Sequence, residues 1–475
     1  MGMKRMDWIT WSAIGIGVVL LVCILFAPPF IGVADNGDFD RILGSGGISP
    51  LSDTYSYEDK YFGYSHSNYE YGPFAIGYVS SQILFVFIAG LLGRLLNPDH
   101  FPLEAMGIVY SVLLLLTLFI IVRYACAGKR WLQITVAACT LFIFFDIGYV
   151  AYFQSFFGEP VSLIFLLLST AISIVLAVQK KPASYWLALL FGCAVILAAS
   201  KIQNAPIGLA FALYAFRLHR KRPDRSWKRL IIGGSAFMIA TTGLIYVFAP
   251  KELKQINLYQ TIFFGILKDS PHVAQDLEEL GIPQKYAVLA GTNYFQTDVP
   301  IKQDAPELTE HVYSRLGHFD VVGYYLRHPG RIIDKLEAAS SQATMIRPYY
   351  LGNYEKELGK PRGAISYTYS LWSEGKKKLI PKHFIFFIIF FLLYFAVIIR
   401  EYIRNKARRH VLDVMLLVSV VAIFSVAVPL VGDGEADLGK HLFLFNVSFD
   451  IMIVSSVVWL VAQAQRLFDR SPELE

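Results

Sequence analysis

Long apolar stretches recur along the chain, separated by short polar loops. Segments 8–27, 104–124, 132–150, 160–178, 185–201, 203–216, 229–249, 382–400, 411–431 and 442–463 read as helices crossing a bilayer, which takes about 20 residues each. Residues 73–96, "PFAIGYVSSQILFVFIAGLLGRLL", are apolar enough to make an eleventh span. Counting them as one places "RYACAGKRW" (123–131) and "KARRH" (406–410) on the outer side. If 73–96 instead enters and leaves from the outer face, or lies along it, the basic clusters agree. Lys4/Arg5, Lys129/Arg130, Lys180/Lys181, "RLHRKRPDRSWKR" (217–229), "RNKARR" and Arg466/Arg470 then share one side, as the positive-inside rule requires. Ten spans plus an outer-face juxtamembrane helix is the expected topology, with both termini cytoplasmic. Eleven spans is the alternative.

Composition supports this pattern. Of 475 residues, 55% are hydrophobic and 17% charged, against roughly 25% charged in soluble domains. Mean hydropathy is +0.48. The short alternating segments of a membrane barrel are absent, so the fold class is an all-α polytopic membrane protein. The net charge of +6 resides in short loops between spans and does not point to nucleic acid. Cys23, Cys126, Cys139 and Cys193 lie in or beside apolar runs without a CxxC spacing, so neither a disulfide framework nor a zinc site is expected. Although Lys4 and Arg5 precede it, the first apolar run is too long for a signal peptide and lacks a good cleavage site.

Three parts follow. Residues 1–249 form an N-terminal transmembrane module with a first outer loop at 28–103. Residues 250–381 are too long for an ordinary connection and read as an extracytoplasmic helical domain or lid. Residues 382–475 hold the last spans and a short cytoplasmic tail.

Ionisable residues are costly within a bilayer and usually mark a site or a packed ion pair. Here they crowd one rim. "VADNGDFDR" (33–41) follows the first span with Asp35, Asp38, Asp40 and Arg41; Glu159 opens the fourth span; Asp433, Glu435, Lys440 and His441 precede the last. Lys201, Gln203 and Asn204 lie between two abutting spans. Carboxylates beside cations at a water–lipid boundary suit holding a lipid-linked phosphate and activating a hydroxyl next to it. Each residue also has a plainer reading. Asp35 or Asp38 caps a short helix near "FDRIL". Glu159 before Pro160 favours a helix dipole. Lys201 pairs with Asp146, and Asp450 hydrogen-bonds Asn446 or Ser448 within the bundle. Asp433 and Glu435 form a divalent-ion site with Asp38 or are simply solvated, so no metal is assigned.

An acidic pair after the first span, a Gly-Pro-Phe opening a juxtamembrane helix in "YEYGPFAIGYVSSQILFVFIAGLLGRLL", and an acidic residue in the next outer turn together resemble the GT-C superfamily. These are integral-membrane glycosyltransferases that use polyprenyl-phosphate sugars. The tandem proline and histidine of the family's juxtamembrane segment are missing. "NGDFDR", "FFGEP" and "DLGKHLFLFN" are similar to bacterial hexose transferases of surface-glycan assembly. The resemblance implies a first-loop aspartate as the base that deprotonates the acceptor hydroxyl: Asp38 first, held where Gly37 frees the backbone, then Asp40 and Asp35. Glu159 would orient the acceptor or share protons with Asp38. Lys201, Gln203, Lys440 and His441 would bind donor phosphate, Arg41 either that phosphate or a neighbouring carboxylate, and Arg347 is a further phosphate ligand or a surface salt bridge. The implied partners are a polyprenyl-phosphate sugar donor, a glycan or wall-polymer acceptor and the lipid bilayer. A transporter or lipid-linked-glycan flippase, and a non-catalytic scaffold on the same fold, are the competing readings.

Overall fold

The computed structural model describes residues 7–52, 55–126 and 129–468. Lys4, Arg5 and Arg470 lie outside the described residues. The first span, α1 (Trp8–Leu21), runs on through one π-helical turn to Phe26. A first loop follows, carrying a small antiparallel sheet of β1 (Ile48–Ser49), β2 (Asn68–Tyr71) and β3 (His100–Pro102). Strands of two to four residues are too short to leave a period-2 signal in the sequence.

Between β2 and β3 runs α2 (Gln82–Leu96), 15 residues long. At 1.5 Å per residue it rises about 22 Å, short of the roughly 30 Å hydrocarbon layer. Both ends are tied to loops. Gln82 Nε2 donates to the carbonyls of Phe156 and Phe157 at 2.6 and 2.8 Å, and Arg94 donates to the Gly47 carbonyl at 3.2 Å.

The bundle continues with α3 (Glu104–Ile120), α4 (Arg130–Phe144), α5 (Glu159–Val178), α6 (Ser184–Ala198), α7 (Ile207–Arg217) and α8 (Arg225–Val247). Helix α5 is apolar on all sides and buried almost throughout, as expected of a central helix. By contrast, α8 buries a single stripe, Trp227, Ile231, Ser235 and Met238, and leaves the rest outward. Its start is fixed by Asp224, which accepts from the Trp227 amide at 3.1 Å.

Residues 250–381 begin with α9 (Lys251–Thr261) and later form α10 (His318–Arg327), α11 (Pro329–Gln342) and α12 (Leu371–Leu379). Apolar residues from Leu258 to Tyr325 make a second core of their own. Ala339, Ala343, Ile346 and Leu351 join the main core instead. The chain ends with α13 (Phe384–Arg404), α14 (Arg409–Asp433) and α15 (Phe443–Phe468).

Among the described residues, seven helices are long and apolar enough to cross a membrane. The expected span at 132–150 is a bent pair, α4 and a short helical stretch after it, turning by 57°. The segments expected at 185–201 and 203–216 are the short helices α6 and α7, of 15 and 11 residues. They form a hairpin that presents Lys201 and Gln203 at its turn.

Several expected partners are replaced. Asp146 does not pair with Lys201: its carboxylate accepts from the backbone amides of Gly148, Trp372 and Ser373 at 2.7, 3.0 and 3.0 Å. Asp450 does not turn to Asn446 or Ser448. It meets Lys376 at 2.6 Å, both side chains being 0% exposed, and accepts from Tyr149 and Trp372 at 2.6 and 2.8 Å. A fully buried carboxylate takes the cation when one is in reach, because an unpaired buried charge is very costly.

Candidate active site

The first loop folds back on itself at its acidic stretch. Asp35 Oδ1 accepts from the amides of Gly37 and Phe39 at 2.7 and 3.2 Å, with Gly37 at φ +96° where a side chain would be strained. Asp35 thus fixes the turn that leads into a short helix at Asp40–Leu43 and does not cap it: the N-cap position is Phe39, and no side chain caps that helix. Phe39 anchors the turn by wedging against Phe156 and Phe157, at ring-centroid distances of 5.4 and 4.7 Å. Asp38 is left pointing into a cavity of about 1160 Å³.

That cavity brings most of the expected residues together. Asp38, Arg41, Lys201, Gln203, Lys440 and His441 line one end, with Asp433 and Asp437 beside them. Asp38 lies 3.0 Å from the Arg41 guanidinium, and its other oxygen accepts from Lys440. Lys440, 2% exposed, also stands 4.1 Å from the centre of the Phe157 ring. Burial alone would raise the Asp38 carboxyl, but Lys440 and Arg41 outweigh it and hold the group well below the usual carboxylate range. Burial opposes the charge on Lys440 too, and Asp38, Glu159 and Asp437 overcome it, leaving the ammonium firmly protonated.

Glu159 opens α5 and is 1% exposed. It accepts from Lys201 and does not itself line the cavity. Its place is behind Lys201, whose ammonium it fixes at the wall.

Hydrogen-bond geometry assigns His441 its charge. Gln203 Nε2 donates to the His441 carbonyl at 3.0 Å, so Gln203 Oε1 faces His441 Nδ1, 2.7 Å away. Nδ1 must therefore donate. Nε2 lies 2.8 Å from the Asp433 carboxylate and donates to it while that carboxylate is ionised. Both nitrogens carry protons, which makes the ring an imidazolium. Burial works against this, while Asp433 and Asp437 prevail and raise the ring above its ordinary value.

Other candidates lie elsewhere. Asp40 is exposed and off the cavity wall. Glu435 is not solvated; it is clamped by Lys268 and Lys335, each at 2.6 Å. Arg347 is neither a cavity ligand nor a surface salt bridge. It is buried, donating to the Ser366 carbonyl at 2.5 Å and to Asn353 at 3.3 Å. Asn353 in turn donates to the Gly32 carbonyl at 2.5 Å, so Arg347 braces the first loop against the later stretch. Asp38, Asp433 and Glu435 do not assemble for a divalent ion, since each faces its own cation. Among the described residues no group of three His, Cys, Asp or Glu is arranged to hold a metal.

Sequence reasoning missed the part of the cavity wall that residues 250–381 supply. Tyr350, which donates to Asp437, and Gln260, His318, Phe295 and Phe319 all come from 250–381. That stretch is ordinary in composition, so no single residue stood out. Tyr246 and Phe424 complete an apolar wall.

The model of the YfdI N-terminal transmembrane domain family matches residues 3–473. No curated protein and no solved structure matches the chain. With nearly its whole length covered by that match, and with a membrane bundle to go with it, the chain belongs to the YfdI N-terminal transmembrane domain family.

Proposed function

We propose that this protein is a membrane glycosyltransferase of the GT-C type, moving a hexose from a polyprenyl-phosphate donor to an extracytoplasmic glycan or wall polymer. The observation that carries this reading is the cavity end where Asp38 meets Lys440 and Arg41, with Lys201 and His441 alongside. Two cations on Asp38, with Lys201 and His441 held beside them by Glu159 and Asp433 and an apolar wall next to all four, fit an anionic headgroup on a lipid tail.

In this mechanism the donor phosphate binds Lys440, Lys201, Arg41 and the His441 imidazolium. Competition for Lys440 and Arg41 frees one oxygen of Asp38, whose basicity then rises as its counter-charges are drawn away. Asp38 takes the proton of the acceptor hydroxyl. That oxygen attacks the anomeric carbon from the face opposite the phosphate, and the anomeric C–O bond breaks with inversion. The electron pair leaves on polyprenyl phosphate, stabilised by the same cations. Arg41 and Lys440 so act in both the resting and the reacting site.

The decisive experiment reconstitutes the protein in liposomes with radiolabelled undecaprenyl-phosphate hexoses and a surface-glycan acceptor. Labelled polymer and released undecaprenyl phosphate are expected from the wild type, and neither from Asp38→Asn. Equal turnover by that variant removes Asp38 from the mechanism.

A further inference from the structure

Away from the cations, three polar side-chain atoms on the cavity residues are buried without a hydrogen-bond partner among the described residues: Gln260 Oε1, His318 Nε2 and Asp433 Oδ1. They gather around one turn. Asp433 is part of it, and His318 faces the backbone of Gly432. The main-chain carbonyl of Gln260 comes within 2.8 Å of where a Cβ on Gly434 would stand. Burial lowers the His318 ring below its ordinary value, more than Gly432 and Asp433 raise it. His318 is thus neutral; its one N–H is directed at the Gly432 backbone, which leaves Nε2 as an acceptor.

Folded proteins rarely leave buried polar atoms unmatched, and such atoms point to a missing partner. A phosphate does not suit these three, because it brings negative charge to Asp433 and no proton to either oxygen. A hydroxyl-rich ring suits them, since each hydroxyl both donates and accepts. The turn also adjoins the cations: the His441 ring bridges Asp433 and Gln203, which is two residues from Lys201. A sugar esterified to a phosphate at Lys201 would reach this turn. Phe295 and Phe319 on the same wall offer apolar faces to the ring's C–H bonds.

Resting on the transferase reading above, we propose that Gln260, His318 and the free oxygen of Asp433 form the subsite that recognises the hydroxyls of the donor hexose.

The test measures binding of two probes to the full chain in nanodiscs: undecaprenyl phosphate, and undecaprenyl phosphate carrying glucose, galactose or mannose. Gln260→Met and His318→Leu are each expected to weaken the preferred glycosylated lipid about tenfold, and to leave the bare lipid unchanged. The bare lipid also reports on folding of the variants. Lys201→Met should weaken both probes. Equal losses for both probes in the Gln260 and His318 variants, or no loss, overturn the subsite. A wild type that binds neither probe overturns the subsite and the transferase reading together. Selective loss in the variants, with no sugar transfer by the wild type, upholds the subsite and overturns the transferase reading alone.

Discussion

Lys440 closes on Asp38 across 402 residues of sequence, joining the loop after the first span to the turn before the last. The contact has both a structural and a chemical side, and a pair of variants separates them. Asp38→Asn strands a buried ammonium and should lower stability by about 1–3 kcal/mol, read as thermal unfolding in detergent. Sugar transfer should fall about 10²–10⁴-fold. Adding Lys440→Met removes the stranded charge, so the double variant should regain most of the stability and none of the turnover.

Asp35 supplies a pH test. Burial, helped by the charges of Asp40 and Asp38, raises its carboxyl from 3.8 to about 7 against the two amides that favour the anion. The native state therefore holds this proton more tightly than the unfolded chain. Its contribution to stability is full below the unfolded value and is lost as pH rises through the interval from 3.8 to about 7. Asp35→Asn keeps an acceptor for both amides and removes the titration. The variant should unfold at a temperature that varies less across that interval than the wild type does.

The His441 imidazolium makes a prediction of the same sign for ligand binding, at higher pH. Its folded value lies above the ordinary one, so its charge is complete below about pH 6.5 and fades as pH climbs through the raised value. Affinity for undecaprenyl phosphate should decline over the same alkaline range. Asp433→Asn removes the main support for the charge and should move the midpoint to lower pH. Binding isotherms from about pH 6 to pH 9 decide it.

Glu435 fastens the second core to the rim, through Lys268 and Lys335. Glu435→Gln leaves two ammonium groups facing each other across an amide. Hydrogen exchange should quicken about tenfold or more in residues 258–335, reflecting an opening cost lowered by about 1–3 kcal/mol. Exchange in α5 should stay as it was.

Much of this architecture was legible in the sequence, because apolar runs declare spans and charges in a greasy chain declare a rim. The gathering of Asp38, Lys201, Lys440 and His441 followed from that logic. Partners did not. Lys376 opens a run of three lysines in which nothing marks one from another, yet it is 0% exposed beside Asp450, while Lys378 is 73% exposed. Which lysine turns inward depends on where α12 lands, a tertiary fact. Lys201 likewise took Glu159 in place of Asp146 because three backbone amides had already claimed Asp146. Gln260 and His318 were invisible for another reason: polar residues in a polar stretch carry no contrast.

The hairpin of α6 and α7 is stubby, rising about 22 Å on one arm and 16 Å on the other. A bilayer beside it must pinch inward or let headgroups and water sag toward Lys201, because hydrocarbon cannot cover a charged tip that ends so early. Under the transferase reading proposed above, a carrier lipid diffusing past would find its phosphate already near the depth of that lysine. The protein would then need no costly lifting of the headgroup, and the dimple itself would guide carriers to the cavity mouth.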